Sequence, residues 1–156
     1  MRVVLQRVSW AEVAVADRTI ARIGPGLLAL VGVAHGDQAC DAVRLADKTV
    51  RLRLFAAGER PFDRPLTAVP GGSLLCVSQF TLLGDVRRGN RPSWAGAARP
   101  EAAEPLVEAF AAAVAAHGVT VAQGRFGEAM AVRLENDGPV TLVLDSADLT
   151  SPRRRA

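Results

Sequence analysis

Ser78-Gln79-Phe80-Thr81-Leu82 places two hydroxyls and an amide at the end of an apolar run that begins near Leu74. Strand-end N–H groups and hydroxyls of this kind suit a pocket for a developing oxyanion. A second unusual island, Asn136-Asp137-Gly138-Pro139-Val140-Thr141, sets Gly138-Pro139 inside sequence that otherwise alternates like a β-strand. Proline lacks an N–H and has a fixed φ, so within a sheet it belongs at an edge, a bulge or a strand start. X-Pro is also the usual home of a cis peptide bond. A strand interrupted there presents its carbonyls instead of pairing them. Between the islands lie Arg87, Arg88 and Arg91 around Gly89, a combination suited to phosphate contact. Each feature has a plainer reading: a strand with one solvated polar face, or a charged surface loop.

Other chemistries find less support. Of the two histidines, His117 falls in the last turn of a helix, where a cation suits the dipole. His35 follows a buried strand and is a weak functional candidate. The cysteines, Cys40 and Cys76, have neither metal-ligand nor disulfide-framework spacing, and Cys76 reads as a small buried hydrophobe. Asp145 and Asp148 read as a solvated strand end. No metal or cofactor is expected.

These residues need a scaffold. Alternating positions predict strands from Val4 to Val15 and from Ile20 to Ile23, with a turn at Gly24-Pro25-Gly26. Leu27 to Val33 and Ser73 to Leu83 are nearly all apolar, as in strands buried on both faces. Gly36-Asp37 offers a turn and N-cap to a helix from Gln38 to Arg51, with Val43, Ala46, Val50 and Leu54 on its apolar face. A second helix spans Glu101 to His117, stopped by Gly118. Arg53 to Ala56 makes a short strand. Val119 to Gln123, Met130 to Glu135 and Val140 to Asp145 make three more. Residues 57–73 and 84–100 read as long loops, the first with a binding or lid role. The expected fold is α/β: a single domain over residues 1–150, with mixed β-sheet layers and two main helices. Residues 151–156 are expected to be a basic flexible tail.

Composition agrees. Of 156 residues 49% are hydrophobic, enough for one full core, but only 4% are aromatic, so Val, Leu and Ala must fill it. A net charge of +3 permits an anionic partner without requiring one. The N-terminus lacks the apolar core of a signal peptide, and no run reaches membrane-span length. A soluble cytoplasmic protein is expected.

The paired islands, together with Met1 to Val8, Gly26 to Gly32, Arg91-Pro92-Ser93 and Gly124-Arg125-Phe126-Gly127, resemble the D-aminoacyl-tRNA deacylases over nearly the whole chain. The resemblance implies a three-layer α/β/β homodimer without cofactors, binding tRNA and neither DNA nor membrane. The reaction would be hydrolysis of the ester between a D-amino acid and the tRNA 3′ end, and of glycyl-tRNA mischarged on tRNA-Ala. Ser78, Gln79, Phe80 and Thr81 would line the catalytic pocket, with N–H groups near Phe80 polarising the ester. Gly138-Pro139, cis, would enter the partner's site, hold the substrate α-amino group on its carbonyls and collide with an L side chain. The terminal 2′-hydroxyl of the RNA would assist catalysis, and Arg87, Arg88 and Arg91 would contact tRNA. The chain departs from the family's pattern at Trp10, Trp94 and Leu83-Gly84. Phe62 would take a place beside the adenine that a methionine usually has. Two alternatives stay open: a non-catalytic tRNA-binding module, and an esterase with Ser78 or Thr81 as nucleophile.

Overall fold

The computed structural model describes residues 1–150; the tail expected at 151–156 lies outside the described residues. The elements are β1 (Arg2–Val15), β2 (Arg18–Ile23), β3 (Gly26–Gly32), α1 (Ala39–Arg51), β4 (Arg53–Ala57), β5 (Arg60–Pro65) and β6 (Ser73–Ser78). They continue with α2 (Pro100–Ala115), β7 (Thr120–Gln123), β8 (Ala131–Asp145) and α3 (Ser146–Thr150).

The expected mixed α/β domain is what the chain forms. Its main sheet runs β2-β1-β3-β6-β7, with β8 also on β1. β1 is long enough to serve two parts of that sheet. Arg2 to Val8 pair with β3, while Ala11 to Val15 pair with β2, and β8 follows almost its whole length. The sheet thereby curls back over itself and encloses a core on each side of β3 and β6. Leu27, Ala29, Val31, Leu74 and Cys76 face α1 and α2. Leu28, Leu75 and Val77 face Val8, Ala11, Val13 and Ile23 in the other core. This explains why β3 and β6 are apolar at consecutive positions: both faces are covered.

Several elements differ from expectation. The apolar face of α1 is Ala42, Leu45, Ala46, Thr49 and Val50, leaving Val43 47% exposed. Gln38, not Asp37, precedes this helix, and its N–H donates to Asp41 Oδ2 at 2.9 Å. Asp37 instead accepts from the Met1 ammonium at 2.6 Å and from the Ala34 N–H at 2.6 Å. The expected loop 57–73 contains β5, paired with β4 across a turn at Gly58, whose φ is +58°. Its prolines do not prevent pairing, because β4 and β5 form a two-stranded sheet in which each is an edge. Met130–Glu135 and Val140–Asp145 are not separate strands. They are the two halves of β8, whose register with β1 shifts between Gln6 and Trp10. The Gly138–Pro139 bond is cis.

The β1–β2 hairpin closes with Ala16 and Asp17, at φ +47° and +61°, between paired Val15 and Arg18. Both central residues of such a tight turn need positive φ, which Asn-Gly supplies with less strain. The double replacement A16N/D17G is expected to stabilise the fold by about 1 kcal/mol, raising Tm by roughly 2–4 °C. A lowered midpoint in a thermal melt would contradict this.

Candidate active site

β6 ends at Ser78, and residues Phe80–Leu83 form a 3₁₀ turn instead of continuing the strand. Side chains of residues 78–81 therefore do not alternate between two sheet faces. The Gln79 N–H still reaches the β3 carbonyl of Val31 at 2.8 Å, pinning the start of the turn. Within the turn Leu82 N–H donates to Gln79 O, and Gly84 N–H donates to Thr81 O. The N–H groups of Phe80 and Thr81 head the turn and donate to no backbone carbonyl among the described residues. Two further contacts hold the turn. Arg2 donates to Leu82 O at 2.7 Å while pairing with Asp145 at 3.2 Å, so Asp145 is an ion-pair member and not a solvated strand end. Gly32 packs directly beneath: a Cβ there would lie 2.5 Å from Leu83 Cδ2 and 2.9 Å from Gln79 O.

The turn opens onto a cavity of about 530 Å³. Ser78, Gln79 and Glu128 are its polar lining side chains, and Phe80, Val31, Val77 and Val107 form part of its apolar wall. Phe80 and Trp94 close one side edge to face, with centroids 5.7 Å apart. Phe126 and Met130 also line the cavity. Sequence reasoning missed Phe126 and Met130 as site residues, although Phe126 lies in the segment Gly124-Arg125-Phe126-Gly127. Gly124 makes room for Met130, because a Cβ at 124 would lie 2.6 Å from its sulfur. A cavity of this size, apolar with a few converging polar groups, has the character of a small-molecule site.

Thr81 lies beside Gln79, whose amide donates to its hydroxyl. Thr81, expected in the pocket, is not among the residues lining the cavity, and among the described residues no histidine or carboxylate hydrogen-bonds to its hydroxyl. His35 is exposed and does not line the cavity, although its N–H joins the neighbouring loop through Gly96 O at 3.2 Å. His117 meets Asp47 at 2.7 Å and joins α2 to α1. Cys76 is buried, and burial pushes its thiol up to about 12, so it is uncharged at neutral pH. Among the described residues no three of His, Cys, Asp and Glu are grouped to hold a metal ion. No helix there is long and apolar enough to cross a membrane.

The arginine loop is a compact structure. Asp85 and Ser93 exchange backbone hydrogen bonds of 2.8 and 2.9 Å at its neck, and Gly89 turns its tip at φ +64°. Arg87 bends back onto Asp85, with Nε to Oδ1 at 2.9 Å and a second contact to Oδ2 at 2.6 Å. Hydrogen bonds from Arg87 hold the Asp85 carboxyl down at about 2. Arg88 and Arg91 extend from the same loop, both exposed.

Gly138 and Pro139 stand on an exposed tip and do not line this chain's own cavity. The tip is anchored by neighbouring β1 side chains. Arg7 Nε lies 3.1 Å from Asp137 O and 2.8 Å from Asp137 Oδ2, and the same guanidinium donates to Leu54 O on β4. Gln6 Nε2 reaches Asn136 Oδ1 at 3.2 Å and Thr141 Oγ1 at 3.4 Å, closing the neck. Phe62, 54% exposed on β5, is likewise absent from the cavity lining. A single chain thus brings Ser78 to Phe80 together with Trp94, Phe126 and Met130, and leaves Gly138-Pro139 outside.

Known proteins similar to this chain give its family. A family profile described as D-Tyr-tRNA(Tyr) deacylase matches residues 4–145. A D-aminoacyl-tRNA deacylase of Chloroflexus aurantiacus is 55% identical over 154 residues, covering 99% of this chain and 96% of the relative. One of Kocuria rhizophila is 51% identical over 155 residues, covering 99% of both. A solved structure titled c-Myc DNA Unwinding Element Binding Protein superposes with a TM-score of 0.85 at 32% identity, covering 98% of this chain and 100% of that one. A probable eukaryotic D-amino acid tRNA deacylase shares the fold, with a TM-score of 0.77 at 19% identity over 92% of this chain and 97% of its own. The chain belongs to the D-aminoacyl-tRNA deacylase (D-Tyr-tRNA(Tyr) deacylase) family.

Proposed function

We propose that this protein hydrolyses the ester joining a D-amino acid to the 3′ end of tRNA, and that the RNA itself assists the step. The carrying observation is the 3₁₀ turn at the cavity mouth, whose leading N–H groups, on Phe80 and Thr81, face no backbone acceptor. Hydrogen bonds from such preorganised donors would stabilise the oxyanion that forms when water attacks the ester carbonyl. The terminal 2′-hydroxyl of the RNA, adjacent to the scissile ester, would supply the proton-handling group that Thr81 lacks. The ester C–O bond breaks, water's oxygen goes to the amino acid, and its proton goes to the 3′-oxygen.

Selection by hand would come from a second copy of the chain. Gly138-Pro139 is exposed and stands apart from its own cavity, which suits insertion into another subunit's site. Val143, 66% exposed beside Val4 on β1, belongs to an outward strip that such a partner would cover. Carbonyls from the inserted tip would hold the α-amino group and leave room for hydrogen where an L residue carries its side chain. Glycine has no side chain to collide, so glycyl-tRNA, including that mischarged on tRNA-Ala, would also be cleaved. Arg88 and Arg91 would contact the RNA backbone, with Arg87 shaping their loop. Action on tRNA would suit a cytoplasmic protein whose nucleic-acid partner is RNA and not DNA.

Matched D-, L- and glycyl-tRNA separate these readings. The D and glycyl esters should turn over, with the L ester at least roughly a hundredfold slower. Equal hydrolysis of both enantiomers would refute chiral selection. Thr81→Ala should keep most activity, whereas tRNA ending in 2′-deoxyadenosine should lose it. The reverse pattern, with a trapped acyl-enzyme, would establish a threonine nucleophile instead.

A further inference from the structure

A second cavity, of about 170 Å³, adjoins the first and shares Ser78, Val107 and Phe126 with it. Its remaining polar wall is chemically two-sided. Glu104 and Glu108, one turn apart on α2, supply acceptors. Gln123 and Arg125, at the exit of β7, supply donors. Neither glutamate, nor Arg125, has an ion-pair partner recorded among the described residues, so their charges remain available to a ligand. The volume is that of several waters, room for a single ring but little more.

We propose that this cavity seats the base of the nucleotide preceding the terminal adenosine, and that it is built for cytosine. The inference rests on the deacylase reading above, since it extends the same RNA strand by one nucleotide. Two carboxylates beside an RNA backbone would repel its phosphates unless they met a hydrogen-bond donor. Cytosine offers one: its N4 amine donates, while N3 and O2 on the same edge accept. Glu104 or Glu108 would take the N4 proton, and Arg125 or Gln123 would donate to N3 and O2. Uracil reverses the edge, setting its O4 acceptor against a carboxylate. Phe126 borders both cavities and offers a ring on which a base can stack. In tRNA the nucleotide before the terminal adenosine is cytidine, the base that this wall complements.

The test uses D-phenylalanyl esters of adenosine, of the dinucleotide CpA and of UpA. For the wild-type protein the CpA ester should have a KM about tenfold lower than the UpA ester, with kcat little changed. In the double variant E104Q/E108Q each new amide can donate to O4 as well as accept, so the preference for CpA should vanish or invert. Equal KM values for CpA and UpA in the wild type would overturn the proposal, as would a preference that survives in E104Q/E108Q. Hydrolysis of the adenosine ester with no base preference would refute the cytosine seat alone. Failure to hydrolyse either that ester or D-aminoacyl-tRNA would refute the deacylase reading, and the seat with it.

Discussion

Replacing Gly26 with alanine is expected to leave little folded protein at ambient temperature. A Cβ at this position would lie 1.9 Å from Ser73 O, 2.8 Å from Ser73 C and 3.0 Å from Ser73 N. All three atoms are backbone, so no side-chain rotation relieves the clash. Gly26 is paired with Val8 on one side and Ser73 on the other, at the start of the β3–β6 parallel ladder. Separating those strands would strip cover from Leu27, Leu28, Leu74 and Leu75, which are all buried. The cost should reach about 4 kcal/mol or more, a large share of the roughly 5–15 kcal/mol that stabilises an ordinary domain. Gly24→Ala is the control, because a Cβ there meets nothing within 4 Å. Thermal and urea melts should show loss of the cooperative transition for the first variant and near-wild-type behaviour for the second. A Gly26→Ala midpoint within a few degrees of wild type would contradict the packing argument.

The second large effect should follow Arg7→Ala and should appear in selectivity. The Arg7 side chain is only 12% exposed and holds Asp137 through both its carbonyl and its carboxylate. It also donates to the carbonyl of Leu54, so one guanidinium joins β1, β4 and the tip that carries Gly138 and Pro139. Charge-assisted hydrogen bonds of this kind contribute about 1.5–3 kcal/mol each, and removing the donor leaves all three acceptors without it. The tip would lose the contact that fixes its position. If the tip selects the hand of the substrate, the ratio of kcat/KM for D over L esters should fall by roughly tenfold to a hundredfold. Arg7→Lys should not restore it, since an ammonium cannot span the positions that the planar fork reaches. Unchanged discrimination in Arg7→Ala would separate the tip's position from chiral choice.

Local pattern carried much of the fold. Consecutive apolar residues from Leu27 to Val33 and from Leu74 to Val77 announced strands covered on both faces, because runs this short are too brief for a buried helix. Helical periodicity located α1 but placed its apolar face too far toward Val43, since adjacent positions differ by about 100° around the helix and packing chose Ala42. β5 was hidden because Pro61 and Pro65 mark a loop by composition, and edge position, which makes them tolerable, is a tertiary fact. The short polar segment after β6 looked like strand because residue types cannot show where the ladder with β3 ends.

The site divides in the same way. Sequence alone determined much of the chemical inventory: Ser78 to Thr81, the arginine loop and the proline at 139, all set by residue type and local spacing. It also determined family membership, because those islands occur together. Only tertiary structure decided which of them meet. It turned Phe80 and Thr81 into the head of a 3₁₀ turn, folded Trp94, Phe126 and Met130 around one cavity, and bound Arg87 to Asp85. It also placed Gly138-Pro139 on an exposed tip held by Arg7, away from that cavity. The reason is physical: each of these outcomes depends on contacts between segments tens of residues apart, and local residue preferences contain no term for them.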